Sequence, residues 1–180
     1  SNEVEVCFGK NGELSNKFDK VIIATHSDQA LQILDKPNGK EKEILSALPY
    51  QENEALLHTD ESILPRKKQT WSSWNYLLNE DTQGPVTLTY NMNMLQSLAS
   101  KAHFLVTLNS SEKIDPKKIL KKLTYQHPIF TVEGAKLQKE KHLISGKNNT
   151  FFCGAYWGNG FHEDGVVSAL DVCKFFGKAL

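Results

Sequence analysis

The stretch Thr150-Phe151-Phe152-Cys153-Gly154-Ala155-Tyr156-Trp157-Gly158-Asn159-Gly160-Phe161-His162-Glu163-Asp164-Gly165-Val166-Val167-Ser168-Ala169 carries most of what the chain says about itself. Phe151-Phe152-Cys153 reads as a buried strand, and Gly154, Gly158, Gly160 and Gly165 follow in quick succession. A helix is expected from Val166 to Phe176, closed by Gly177. Its polar members Ser168, Asp171 and Lys174 recur at every third position, so the rest of its surface is apolar and should be enclosed.

Glycine lets backbone approach a ligand closely and permits positive φ. A helix opening after Gly165 would leave its first N–H groups unpartnered, with the positive end of the helix dipole behind them. Such a terminus suits a pyrophosphate or the carbonyl edge of a flavin ring. A tight structural connection would use the same residues, and spacing alone does not choose between the two. Glu163 stands where the third glycine of GxGxxG would fall, so this is not a Rossmann phosphate loop.

Working outward, Val4, Val6 and Phe8 alternate with polar residues before a turn at Lys10-Asn11-Gly12-Glu13. Val21-Ile22-Ile23-Ala24 is a continuous apolar run, expected to be a strand buried on both faces. Ser27 or Asp28 should cap a helix through Leu31, Ile33 and Leu34, ended by Pro37-Asn38-Gly39; a second helix spans Lys42 to Leu48. Residues 55–58, 70–77, 86–90 and 104–108 read as strands separated by turns such as Asn79-Glu80-Asp81 and Gln83-Gly84-Pro85, which favours an antiparallel sheet. Asp115-Pro116 should open a helix bearing Ile119, Leu120 and Leu123, with Pro128 closing it. Residues 134–149 are polar and lysine-rich, as in a solvated connection or a weak strand.

The 180 residues, 39% hydrophobic, suffice for one ordinary core or a core plus a share of a second. Twenty-one basic residues balance 21 acidic ones, so no net field draws the protein to nucleic acid or anionic lipid. No run of apolar residues is long enough to span a bilayer and no secretory pattern opens the chain, which points to a cytoplasmic protein. Cys7, Cys153 and Cys173 are too scattered for a disulfide framework or a metal knuckle.

The quoted C-terminal stretch resembles the C-terminal FAD signature of the flavin-containing amine oxidases, a superfamily that also includes phytoene desaturases and protoporphyrinogen oxidase. A second stretch, Phe18-Asp19-Lys20-Val21-Ile22-Ile23-Ala24-Thr25-His26-Ser27-Asp28-Gln29-Ala30, resembles the strand that returns into the FAD domain of that family, with its Ala-Thr ending. Between them, Leu57-His58-Thr59-Asp60 and Trp74-Asn75-Tyr76 resemble a bacterial NAD/FAD-binding, amine oxidase-like subgroup. The resemblance implies an α+β fold: an antiparallel substrate-domain sheet with helices, plus the C-terminal strand-loop-helix and part of the β-meander of an FAD-binding domain. Residues 1–29 and 146–180 would belong to the FAD-binding domain and 30–145 to the substrate domain.

The resemblance further implies FAD as cofactor, held by Ala24, Thr25, Gly154, Ala155, Tyr156, Gly160, Phe161, His162, Glu163, Asp164, Gly165 and Val166. Ala155 and Tyr156 follow Gly154 where the family often has an acidic residue, and the last glycine comes one residue later, so backbone contacts carry over better than side-chain ones. The family's N-terminal GxGxxG and ribose-binding acid are missing from this stretch. The segment is therefore expected to be the C-terminal part of the enzyme, holding part of the FAD pocket and inactive alone.

Hydride transfer to flavin from a C–N or C–C bond needs no acid or base from the protein, so none is assigned. Aromatic residues on strands usually fill a core; nevertheless Trp74 and Tyr76, which share strand parity and are expected on one strand with Trp71, are substrate-pocket candidates together with Trp157 of the loop. The substrate is either an amine, which wants an aromatic cage with a carboxylate, or a lipid-like molecule, which wants an apolar tunnel. The alternative is a non-catalytic module that uses the cleft for a hydrophobic ligand or protein partner. His162-Glu163 fails as a zinc-protease motif because Val166 stands at the second histidine. His58 and Asp60 read as exposed polar residues rather than metal ligands, and Cys153 as an inert core thiol.

Overall fold

The computed structural model describes residues 3–78 and 86–179; the turns expected at 79–81 and 83–85 lie outside them. The fold is α+β and gathers into two compact units, Ser1–Tyr50 with Pro128–Leu180, and 51–127.

The first unit opens with the antiparallel hairpin β1 (Val4–Phe8) and β2 (Leu14–Phe18). Next come β3 (Val21–Ile23), α1 (Ser27–Ile33) and α2 (Gly39–Ser46). His26, not Ser27 or Asp28, is the residue before the first turn of α1. Asn38 begins α2 instead of merely ending α1: its Oδ1 accepts from the Glu41 N–H at 3.0 Å while the Glu41 carboxylate accepts from its N–H at 2.8 Å.

The second unit is a five-stranded sheet in the order β5-β6-β7-β4-β8, with β4 (Tyr50–His58), β5 (Trp74–Leu77), β6 (Thr87–Asn91), a short α3 (Met92–Leu95), β7 (Leu105–Leu108) and β8 (Ile119–Pro128). The registers of β5 with β6, β6 with β7 and β7 with β4 are antiparallel. Its covered face is unusually polar, with His58, Thr87, Thr89, Asn91 and Thr107 all buried beside Leu56 and Leu105. The opposite face carries Trp74, Tyr76, Leu88, Tyr90 and Val106. Trp74 and Tyr76 do share a face, as parity requires, but they are 52% and 59% exposed and fill no core. Trp71 is off the strand, because Asn75 bonds both the N–H and the carbonyl of Ser72 and turns the chain before Trp74.

Two expectations fail here. Residues 119–128 form a strand instead of a helix; Pro116–Lys118 makes one 3-10 turn and no more. A helix would have gathered Lys117, Lys118, Lys121 and Lys122 on neighbouring positions. The turn instead sends Lys118 to Asp60 and the strand sends Lys122 to Glu54, pairing acids that lie far away in sequence. His58 and Asp60 are not exposed at all: both are buried, in the network described below.

The chain returns to the first unit with α4 (Val132–Leu137), β9 (Thr150–Phe152) and α5 (His162–Lys174). The lysine-rich 134–149 stretch is thus mostly helical: Thr131 caps α4 through the Gly134 N–H at 2.9 Å, and a 3-10 helix continues over Gln138–Leu143. β3 and β9 pair in parallel, Ile22 opposite Phe151 and Ile23 opposite Phe152. Ile23 and Phe152 pack on one face with Ala30, Ile44, Leu45, Leu137 and Ile144; Phe151 and Cys153 pack on the other with Val172 and Ala169 of α5. Burying a phenylalanine as completely as Phe152 is worth about 3 kcal/mol.

The run 21–24 is not buried on both faces, since α5 covers Phe151 but leaves Ile22 49% exposed. Nor is the apolar surface of α5 enclosed. Val166 and Val167 are about half exposed while Ser168 is buried, the reverse of the expected pattern. The helix also begins at His162, four positions early, so Gly165 lies inside it.

Candidate functional site

Parallel strands open a crevice beyond their carboxyl ends, and β3 and β9 end side by side. The Cys153 N–H donates to the Ile23 carbonyl at 3.0 Å, which carries the pairing one step past the strand. Ala24-Thr25 and Gly154-Ala155 are thereby neighbours, although more than a hundred residues separate them in sequence. A Cβ on residue 154 would stand 3.2 Å from the Thr25 carbonyl oxygen and inside the Tyr156 ring.

Beyond Gly154 the chain makes a 3-10 turn over Ala155–Trp157, and the Gly158 and Gly160 N–H groups both donate to the Ala155 carbonyl, at 3.0 and 3.2 Å. Asp164 clasps the rest of the loop. One carboxylate oxygen accepts from the Asn159 N–H at 3.0 Å and from the Phe161 N–H at 2.9 Å, and a Cβ on residue 158 would overlap that carboxylate. Gly160 has φ +86°, a conformation that favours glycine. Packing and backbone geometry thus account for Gly154, Gly158 and Gly160. Gly165 alone is free of such a demand, since its Cβ would meet only Ala155, at 3.8 and 3.9 Å.

The 3-10 helix that follows α4 holds this loop from below. The Gln138 carboxamide Nε2 donates to the Tyr156 carbonyl at 2.7 Å and the Gly158 carbonyl at 2.8 Å. Lys141 Nζ donates to Ser168 Oγ at 3.2 Å, and that oxygen accepts from the Gly154 N–H at 3.1 Å. Gln138, Lys141 and Ser168 escaped the sequence reading. The usable signal was Thr131, a capping residue three before Gly134, with Leu137 and Ile144 two turns apart behind it.

The mouth of α5 follows directly. Its cap, Phe161, has no side-chain acceptor, so the N–H groups of His162, Glu163 and Asp164 are left to solvent or a ligand. Phe161 is exposed and does not plug them. Two carboxylates in the first turn disfavour an anion there, and the Asp164 carboxylate is already engaged with the loop. The mouth therefore suits an uncharged acceptor such as a ring carbonyl.

Buried polar atoms collect near the same strand ends. The Ser27 hydroxyl, His26 Nδ1, Asp28 Oδ1, the Tyr156 hydroxyl and the Trp157 indole N–H make no hydrogen bond among the described residues. His26 stacks on Tyr50 with centroids 4.4 Å apart, and the Tyr50 hydroxyl accepts from the Ser27 N–H at 3.2 Å. Burial, with Tyr50 and Cys153 nearby, pushes the Tyr156 phenol well above its ordinary range; the Trp157 indole, close but out of hydrogen-bonding geometry, draws it only partly back. Burial also raises the Cys153 thiol, which makes it a poor nucleophile, and lowers the Lys141 ammonium.

All twelve backbone and side-chain positions from Ala24 to Val166 assigned to the cofactor fall in the first unit, as does Trp157, which is half-buried. Ala24, Gly160, Phe161, His162, Glu163 and Val166 are exposed, and Thr25, Gly154, Ala155, Asp164 and Gly165 half-buried. Tyr156 is buried beneath the loop instead of lining its surface. Trp74 and Tyr76 belong to the second unit, Trp74 edge-on to Tyr90 at 5.3 Å.

The buried pair of the second unit is a network, not a metal site. His58 Nδ1 accepts from the Asp60 N–H at 3.1 Å, so its Nε2 carries the proton and donates to Thr107 Oγ1 at 2.8 Å. The Asp60 carboxylate accepts from Lys118 Nζ and the Asp115 N–H, both at 2.9 Å, and from the Ser62 N–H at 3.2 Å. Among the described residues no group of three His, Cys, Asp or Glu side chains is placed to hold a metal ion. No helix among them is long and apolar enough to cross a membrane.

No protein-family model and no curated protein matches the sequence. Solved structures do match in fold. A CLA-producing fatty acid isomerase from P. acnes aligns with TM-score 0.63 and 15% identity, over 97% of this chain and 45% of that one. A protein from Exiguobacterium sp. 255-15 with the provisional name protoporphyrinogen oxidase aligns with TM-score 0.58 and 13% identity, over 90% of this chain and 42% of that one. At these identities the likeness concerns the fold alone, and the chain spans less than half the length of either structure.

Proposed function

We propose that the complete protein is an FAD-dependent oxidoreductase of the amine oxidase type, acting on a C–N or C–C bond, and that this chain supplies one part of its FAD site. The observation that carries the reading is the meeting of Ala24-Thr25, Gly154-Ala155 and the uncapped start of α5 at one pair of parallel strand ends. The two stretches that resemble an FAD domain are those the fold brings together. Likeness in fold to a protein named as a protoporphyrinogen oxidase supports the same superfamily.

The residues fit an uncharged, electron-rich ring. The His162, Glu163 and Asp164 N–H groups would donate to a flavin carbonyl. Ala155, Gly165 and Val166 would border it through backbone and small side chains. Gln138 and Asp164 keep the loop in shape, and Phe161 and Trp157 would shield the ring from water. Flavin, when bound, supplies the hydride acceptor, which leaves the chain the tasks of binding, orienting and excluding water. Residues 1–29 and 146–180 form the cofactor part in this reading, and 30–145 the part that receives a small-molecule substrate, with Trp74 and Tyr76 on its surface.

The test is colour. Full-length protein purified as expressed should be yellow and release FAD on denaturation. A colourless full-length protein that cannot be reconstituted with FAD would instead mark a non-catalytic module holding a hydrophobic ligand or partner.

A further inference from the structure

A cavity of about 470 Å³ opens in the second unit, within the size range of small-molecule sites. Ile63, Leu64 and Leu77 supply apolar wall, Tyr76 an exposed ring, and Arg66 and Lys113 positive charge. No carboxylate is among the described residues that line it. Arg66 is the chain's one arginine against twenty lysines, and it forms no hydrogen bond or ion pair with the described residues.

The wall that bears Arg66 is held firmly. Asp60 caps the turn Glu61–Ile63 through the Ser62 N–H, Leu64 is buried, and the Trp71 indole N–H donates to the Pro65 carbonyl at 2.8 Å. A guanidinium offers a planar fork of donors that matches a carboxylate or phosphate, which an ammonium does not. Among the described lining residues an amine would find no counter-charge, and placing a second cation beside Arg66 is unfavourable.

We infer that this cavity binds an amphipathic anion, its carboxylate or phosphate head on Arg66 and its apolar body against Ile63, Leu64, Leu77 and Tyr76. The inference rests on the reading that residues 30–145 receive the substrate, and within that reading it selects an anionic lipid-like molecule over an amine.

The experiment uses calorimetric titration of the full-length protein with four probes that share one tail: decanoate, decyl phosphate, decanol and decylamine. Decanoate or decyl phosphate should bind most tightly, the stronger of the two identifying the head group, and decylamine most weakly. Arg66→Ala should weaken the preferred anion about fivefold, the upper end for a partly exposed ion pair, and leave decanol unchanged. Arg66→Glu should reverse the order of anion and amine. Equal affinity for decanoate and decylamine, or an anion affinity unmoved by Arg66→Ala, overturns the inference. Flavin absorbance read on the same samples keeps the two ideas apart: a colourless protein that FAD does not reconstitute but that still binds decanoate through Arg66 supports this site and overturns the cofactor reading.

Discussion

Gln138 donates from its carboxamide to the Tyr156 carbonyl at 2.7 Å, joining a segment that looks solvated in sequence to the middle of the glycine loop. The same nitrogen reaches the Gly158 carbonyl, so one side chain holds the loop on both sides of Trp157. Gln138→Leu should cost about 2 kcal/mol, the sum of two ordinary hydrogen bonds. Gln138→Glu should be worse at neutral pH, because it brings a carboxylate against two carbonyl oxygens. Thermal unfolding of both variants checks this; a Glu variant as stable as wild type would contradict the bonding.

Asp164 and Gly158 should be coupled. The Gly158→Ala methyl would overlap the Asp164 carboxylate that clasps Asn159 and Phe161, so it should cost about 2 kcal/mol alone. In an Asp164→Ala background the same change should cost little, since the clasp is already gone. A double-mutant cycle measures the coupling, and strict additivity would refute it.

Acid should destabilise the second unit in two stages. Burial lowers the His58 imidazole below its ordinary 6.5, so the unfolded chain takes up that proton first and stability falls as pH drops below about 6.5. Burial alone would raise the Asp60 carboxyl, but the Asp115 N–H, Lys118 and the Ser62 N–H overcome it and hold it far below its ordinary 3.8. Its contribution is complete above that value and lost as pH falls beneath it. Urea unfolding followed against pH should show both stages, and His58→Gln should flatten the upper one. An unchanged profile in that variant would remove His58 from the account.

Gly165 tests the cofactor reading. Gly165→Ala should be neutral or stabilise by up to about 1 kcal/mol, because its Cβ makes only ordinary contacts and alanine favours a helix interior. Gly165→Phe should leave folding of the full-length protein largely intact and cut its FAD occupancy severalfold. Full occupancy in that variant would mean that flavin does not lie against this face.

The buried strands and the loop between strand and helix were legible because hydrophobic runs and glycines are local signals. What lay in non-local partners was not. Lys118 and Lys122 look like part of a helix until Asp60 and Glu54 are known to stand beside them. His58 and the threonines of β6 and β7 alternate as strands should, but alternation does not say which face is covered, and here the polar one is. Gly165 looks in sequence like the boundary of α5, but it lies inside the helix; Asp164, an acid in the position to bond back to the Phe161 N–H, is the better guide to where the helix starts. Gly154 and Gly158 looked like ligand-facing glycines, yet it is their own neighbours that demand them.

The pairing of β3 with β9 has a consequence for synthesis. A nascent chain leaving the ribosome presents Val21–Ile23 well before the strand that completes it, Thr150–Phe152, which is made more than a hundred residues later. Residues 51–127 can settle in the meantime, since they form a contiguous body. Ile22 and Ile23 must wait with their apolar surface uncovered until those later residues are made, which makes that stretch the natural target for a holding chaperone.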